Sequence, residues 1–163
     1  SLFPIVFMLH EFEEIIGFKT WVIKDGLWIA KKYPKVAKQI SIYERLSVPA
    51  FALAVLEEFI LIGIVTALAL TLQWYSVWIA VFLGFSLHIF IHIGQWMMVR
   101  KYIPIIITSL LSLPYIFGGT HKIFSEFSLS MIITCFVIGT IVLIVNLRFV
   151  HKLALRYDKI RKK

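Results

Sequence analysis

Apolar stretches at 48–72, 76–98 and 128–148 are each long enough, at about 1.5 Å of rise per helical residue, to cross a hydrocarbon layer about 30 Å thick. A helix that is apolar on every side needs lipid or a large protein core around it, so a chain built on three such stretches has few water-soluble solutions. Two shorter runs, 2–18 and 102–118, complete a set of five. Composition points the same way: 60% of the 163 residues are hydrophobic and 16% charged, against roughly half and about a quarter in soluble domains. The expected fold is all-α, a polytopic transmembrane bundle forming one domain over 1–163. It has five spans, or four if 102–118 does not cross.

Proline and glycine set the expected boundaries. Pro4, Pro49 and Pro104 suit first helical turns, Pro114 would kink the fourth helix, and Gly118-Gly119 would end it. The first run resembles a signal sequence in position only. His10, Glu11, Glu13 and Glu14 interrupt it and no basic residue precedes it, so it is expected to remain as a helix. Between 19 and 47 the chain is too polar for the bilayer core. There Val36, Ile40 and Tyr43 alternate with Lys35, Lys38 and Arg45 at helical spacing, the pattern of an amphipathic helix lying in the membrane interface.

The net charge of +8 does not suggest nucleic acid, because the basic residues flank the apolar runs and no nucleic-acid-binding motif accompanies them. With the N-terminus outside and the C-terminus cytoplasmic, all of the 17 Lys and Arg residues except Lys122 fall on the inner side. The predicted location is therefore a cell membrane, with lipids as neighbours and room for a homo-oligomer. Trp74, Tyr75 and Trp78 form the expected outer aromatic belt. His121, Lys122 and Glu126 fall in an outer loop, and His151 in a basic tail running from Arg148 to Lys163. The single Cys135 excludes an internal disulfide and a multi-cysteine metal site.

Acids and histidines inside hydrocarbon are costly unless they pair, face water or bind an ion. Three of the apolar runs carry them: LHEFEEIIGF with His10, Glu13 and Glu14, AVLEEFILIG with Glu57 and Glu58, and LHIFIHIGQW with His88, His92 and Gln95. Counted from the cytoplasmic ends of their helices, His10, Glu57, His88 and His92 all lie at about 9–15 Å depth by helical rise. Residues far apart in sequence therefore reach one layer. Four ionised glutamates would be balanced by two divalent cations, and mixed carboxylate and imidazole donors from facing helices suit iron, manganese or zinc, as one ion or two. The expected ligands are His10, Glu13, Glu14, Glu57, Glu58, His88 and His92. Gln95 is expected to fix a histidine tautomer or a water, and Glu11 to turn away toward the interface.

The string His10-Glu11-Phe12-Glu13-Glu14 resembles the defining motif of the HxxEE-motif family of bacterial integral membrane proteins, matching it at His10, Glu13 and Glu14. The resemblance implies a multi-span membrane protein over most of the chain, and implies no reaction or substrate.

Three functions compete for such a cluster. A membrane-embedded metalloenzyme would act on a lipid or other hydrophobic small molecule. Iron or manganese would serve oxidative chemistry and zinc hydrolysis, with Glu13 or Glu58, whichever is left unliganded, moving protons. A metal-ion or proton transporter or sensor would use the cluster as a midway station, against which stands the apolar outer half of the first three helices. A structural or assembly protein would use the cluster only to brace its helices.

Overall fold

In a computed structural model, residues 1–161 are described; Lys162 and Lys163 of the expected basic tail lie outside them. Among the described residues are six α-helices, one short 3-10 turn and no strand. The helices are α1 (Phe3–Lys32), α2 (Ala37–Arg45), α3 (Val48–Leu72), α4 (Tyr75–Val99), α5 (Ile106–Glu126) and α6 (Leu129–Arg161), with the 3-10 turn Pro34–Val36 before α2. Of these, α3, α4 and α6 are long and apolar enough to cross a membrane. Outward on α6 point Ile133, Val137, Ile141, Ile144 and Val145, all exposed, a face that water would not tolerate and lipid would.

The boundaries of α3 and α4 follow the sequence reading within a residue, but the others do not. α1 does not stop at 18. It continues to Lys32, because Lys, Trp, Ile and Ala are all compatible with a helix, and only the restriction that Pro34 places on Tyr33 ends it. The segment expected at the interface therefore consists of the end of α1, the 3-10 turn and α2; Ile40 is buried while Lys35, Lys38 and Arg45 stay exposed. α5 begins at Ile106 and runs past Gly118-Gly119 to Glu126 with Pro114 inside it. Gly119 serves a close approach and not a helix end, since a Cβ there would lie 2.6 Å from the Phe82 ring. His121, Lys122 and Glu126 thus belong to the last turns of α5, where all three are exposed. α6 likewise passes Arg148 and extends to Arg161.

Packing is centred on α4 and α6. A Cβ on Gly84 would sit 2.9 Å from the carbonyl oxygen of Gly139, and one on Gly139 would overlap the carbonyl of Ala80, so the two backbones touch. At Gly63 and Gly94, by contrast, a Cβ would meet nothing within 4 Å. α1 packs on α2, α3 and α5, but it approaches α4 chiefly through side chains.

The start of α3 and the end of α6 are tied together by polar contacts. Ser47 caps α3 by accepting from the Ala50 N–H at 3.2 Å, and its own N–H donates to Asp158 Oδ2 on α6 at 2.7 Å. The Ser47 hydroxyl also donates to Asp158 Oδ1. His151 is half-buried, contrary to its expected place in a solvated tail. Its Nδ1–H donates to the Leu147 carbonyl at 2.6 Å, so Nε2 accepts from the Tyr43 hydroxyl at 2.9 Å. Burial, and then the Glu14 carboxylate, push Tyr43 up to about 12, which keeps that hydroxyl protonated as the donor. Asp158→Ala leaves the Ser47 N–H without its partner and is expected to cost about 1–3 kcal/mol, seen as a lower thermal midpoint in detergent. An unchanged midpoint would show that the tie contributes nothing.

Candidate metal centre

The space between α1 and α4 is filled by rings. Phe3 meets Phe82 and Phe85 with centroids 5.8 and 5.4 Å apart, Phe7 meets Phe85 at 6.0 Å, and His10 meets Phe85 at 6.2 Å. One turn further along, phenyl gives way to imidazole: His10 lies 5.7 Å from His88 and 5.3 Å from His92, centroid to centroid. Residues 3, 7, 10 and 14 of α1 recur at helical spacing, as do 82, 85, 88 and 92 of α4. The phenyl layer therefore seals the cluster on one side and holds its histidines against one another.

Four side chains converge there. One donor atom each from His10, Glu14, His88 and His92 lies within 4.8 Å of all the others. His92 Nε2 is 2.8 Å from His88 Nε2 and 3.1 Å from Glu14 Oε1, and His10 Nε2 is 3.8 Å from the same Glu14 oxygen. His10 is fully buried.

The surrounding hydrogen bonds decide which imidazole nitrogens face inward. Glu13 Oε2 accepts from the Thr108 hydroxyl at 2.5 Å and from the Thr108 N–H at 2.8 Å. With its proton given to Glu13, the hydroxyl accepts from His10 Nδ1–H at 3.1 Å, which leaves a lone pair on His10 Nε2. Gln95 does the same for His92, its Oε1 accepting from Nδ1–H at 3.0 Å. His10 Nε2 is buried and makes no hydrogen bond, and the buried Glu14 Oε1 meets only ring nitrogens, His92 Nε2 at 3.1 Å and His10 Nε2 at 3.8 Å. A lone pair left facing a carboxylate in a dry interior is costly. A cation between them removes that cost, and three imidazoles with one carboxylate form a donor set suited to a first-row divalent ion.

The remaining sequence candidates stand outside this group. Glu13 is turned to α5 and also accepts from the Tyr102 hydroxyl at 3.1 Å. Glu57 and Glu58 share the Asn146 amide of α6, which donates to them at 3.2 and 3.5 Å. Glu58 nevertheless borders the same cavity as His88 and His92. Glu11 is corrected from its expected interfacial position: it is 4% exposed and lines that cavity too. Its place was readable, since it falls on the helical stripe of Phe7, Glu14 and Phe18. Thr108, by contrast, had no signal in the sequence, because an isolated threonine in an apolar helix ordinarily bonds its own backbone.

The cavity holds about 360 Å³ and is lined largely by apolar and aromatic side chains, among them Phe18, Trp21, Ile40, Phe51 and Met98. Its polar residues are Glu11, Glu14, Glu58, His88, His92 and Gln95, with Tyr33, Gln39, Tyr43 and His151. No curated protein matches the chain, and no solved structure does. The family model described as a protein of unknown function with HXXEE motif matches residues 1–118, which include all four converging donors together with Gln95 and Thr108, and the chain belongs to that family.

Proposed function

We propose that the chain is a membrane-embedded, metal-dependent enzyme acting on a lipid or other hydrophobic substrate. In this reading His10, Glu14, His88 and His92 hold one divalent ion of iron, manganese or zinc. The observation that carries it is the convergence of these four donors, with the buried His10 Nε2 left without a hydrogen bond, where Glu14, His88 and His92 line the end of an apolar cavity of about 360 Å³. The bound ion would supply Lewis acidity, or redox chemistry in the case of iron or manganese. The chain's own residues do the rest. Glu13 and Thr108 hold the His10 ring in one tautomer, Gln95 holds His92, and the phenyl layer of Phe3, Phe82 and Phe85 excludes water. Glu58 and Glu11 border the cavity and are placed to exchange a proton with a molecule bound in it.

The architecture that goes with this function has five spans, α1, α3, α4, α5 and α6, with the N-terminus outside. α2 lies in the cytoplasmic interface, and substrate enters along the apolar wall between α1, α2 and α6. That the centre sits beside a cavity open to apolar molecules, with a sealed phenyl layer on its other side, favours chemistry over passage of ions.

Elemental mass spectrometry on detergent-purified protein, prepared without chelator or histidine tag, tests the metal. About one ion per chain is expected, and a native protein free of transition metal would sink the proposal. Comparison of membrane lipids from cells making the native protein and a Glu58→Gln variant tests the chemistry. A lipid species altered only by the native protein is expected.

Thr108→Val removes the group that orients His10 without touching a donor, and is expected to weaken metal binding about 10- to 100-fold. Thr108→Ser should restore it. Metal retention across a chelator titration reads the difference, and identical curves for all three proteins would show that the Glu13–Thr108–His10 chain does not hold the ring.

A further inference from the structure

At the opposite end of the bundle, a second cavity of about 470 Å³ lies between α3, α4 and α5. It is lined by Ala69, Ile79 and Ile123 and crossed by two side chains with unspent hydrogen-bonding capacity. Thr66 Oγ1 and Trp78 Nε1 both border it, are both shielded from solvent, and have no hydrogen-bond partner. Thr66 itself is 6% exposed. Its hydroxyl differs from those of Thr71, Thr134 and Thr140, each of which donates to the carbonyl four residues before it at 2.8–2.9 Å. The usual local solution for a helical threonine is thus not taken at Thr66. The indole N–H of Trp78 can only donate, so whatever satisfies it is an acceptor.

Two donors in an apolar cavity call for a molecule with an acceptor oxygen on an apolar body. We infer that this cavity binds a glycerophospholipid of the outer leaflet, with an acyl chain inside and its ester carbonyl accepting from Trp78 Nε1–H and the Thr66 hydroxyl. This rests on the membrane-embedded reading of the chain, in which Trp74, Tyr75 and Trp78 stand at the outer interface, the level where lipid ester groups lie. Lys122 and Glu126, 3.8 Å apart and both exposed, border the cavity, so a zwitterionic headgroup would meet a charge of each sign at the rim. The site is separate from the metal centre, being divided from it by the edge-on and tilted rings of Phe3, Phe82 and Phe85. An acyl ester is preferred over a free carbonyl compound because the bilayer presents it at this depth at high local concentration.

Photolabelling in nanodiscs separates the alternatives. The probe is a phosphatidylcholine with a diazirine in one acyl chain, supplied in an ester-linked and an ether-linked form, and labelled peptides are mapped by mass spectrometry. The ester probe is expected to label around Ala69, Ile79 and Ile123. Replacing the ester by the ether, or combining Thr66→Val with Trp78→Phe, is expected to reduce that labelling about tenfold or more, the effect of losing two hydrogen bonds. Thr66→Val alone gives a partial loss and Thr66→Ser restores the native level, which guards against a misfolded double variant. Equal labelling by ester and ether probes, or in native protein and double variant, overturns the proposal in favour of ordinary surrounding lipid. Displacement of the ester probe by a substoichiometric tailed benzoquinone would also overturn it, by assigning the donors to a quinone carbonyl. Labelling of Ile141 and Val145 on the outer face of α6 is common to both probes, so its absence would instead sink the membrane reading.

Discussion

Replacing His88 and His92 together by alanine is expected to take the metal content from about one ion per chain to background. The two imidazoles supply half of the four converging donors, and they come from the helix facing His10 and Glu14. No neighbouring side chain on α4 substitutes for them: Phe85 and Ile89 line the same face and carry no donor. The loss has a thermodynamic counterpart. An ion that binds only the folded chain stabilises it by about 4 kcal/mol at a thousandfold excess over its dissociation constant, so chelation should lower the thermal midpoint of the native protein and leave the variant unmoved. Two readings, elemental analysis and the chelator-dependent midpoint, therefore have to change together. A variant that retained its metal, or lost stability to chelator as the native protein does, would place the ion elsewhere.

The second large effect is expected at Gly139, which carries no donor. A Cβ at this position would overlap the carbonyl of Ala80, and that contact is backbone on both sides, with no flexible side chain to yield. Gly139→Val must therefore separate α4 from α6. Overpacking of this kind costs about 1–3 kcal/mol, and a backbone clash belongs at the upper end, which corresponds to a thermal midpoint lower by about 6–12 °C for a chain of this size. Gly63→Val is the matching control, because nothing lies within 4 Å of a Cβ there. Thermal unfolding of the two variants in the same detergent distinguishes them, and equal midpoints would mean that α4 and α6 do not make the close contact on which the fold is built.

Much of this was legible in the sequence where a single physical term dominates. Val48–Leu72 and Tyr75–Val99 are bounded by changes of polarity, and their ends fell where the apolar runs end. α1 was cut short because Lys19 and Lys24 mark the end of a hydrophobic run but not of a helix; lysine is a good helix former, and only Pro34 changes the backbone. The same distinction applies to Gly119, whose missing Cβ serves Phe82 and not a turn. At the site, helical spacing paired His10 with Glu14 and His88 with His92, and the count of depth put His10, His88 and His92 in one layer with Glu57, which instead turns to Asn146. Neither told that Glu13, one residue from Glu14, points to a different helix. Adjacent residues on α1 diverge by about 100°, and what receives each depends on the position of α5, which no pattern in residues 1–18 encodes. Thr108 became meaningful only once α5 was seen against Glu13.

The continuity of α1 has a mechanical consequence. His10, Glu14 and the lysines of the last turn, Lys31 and Lys32, belong to one unbroken helix from Phe3 to Lys32, a rod about 45 Å long by helical rise. Gly17 lies near its middle, pressed so closely on Pro104 that a Cβ there would be 2.5 Å from the proline ring. It is held again toward its basic end, where a Cβ on Gly26 would lie 2.9 Å from Ile40. In the five-span placement proposed above, a tilt of this rod would carry His10 and Glu14 with it, while His88 and His92 stay with α4. The spacing of the donor atoms would then follow the angle of one helix against another.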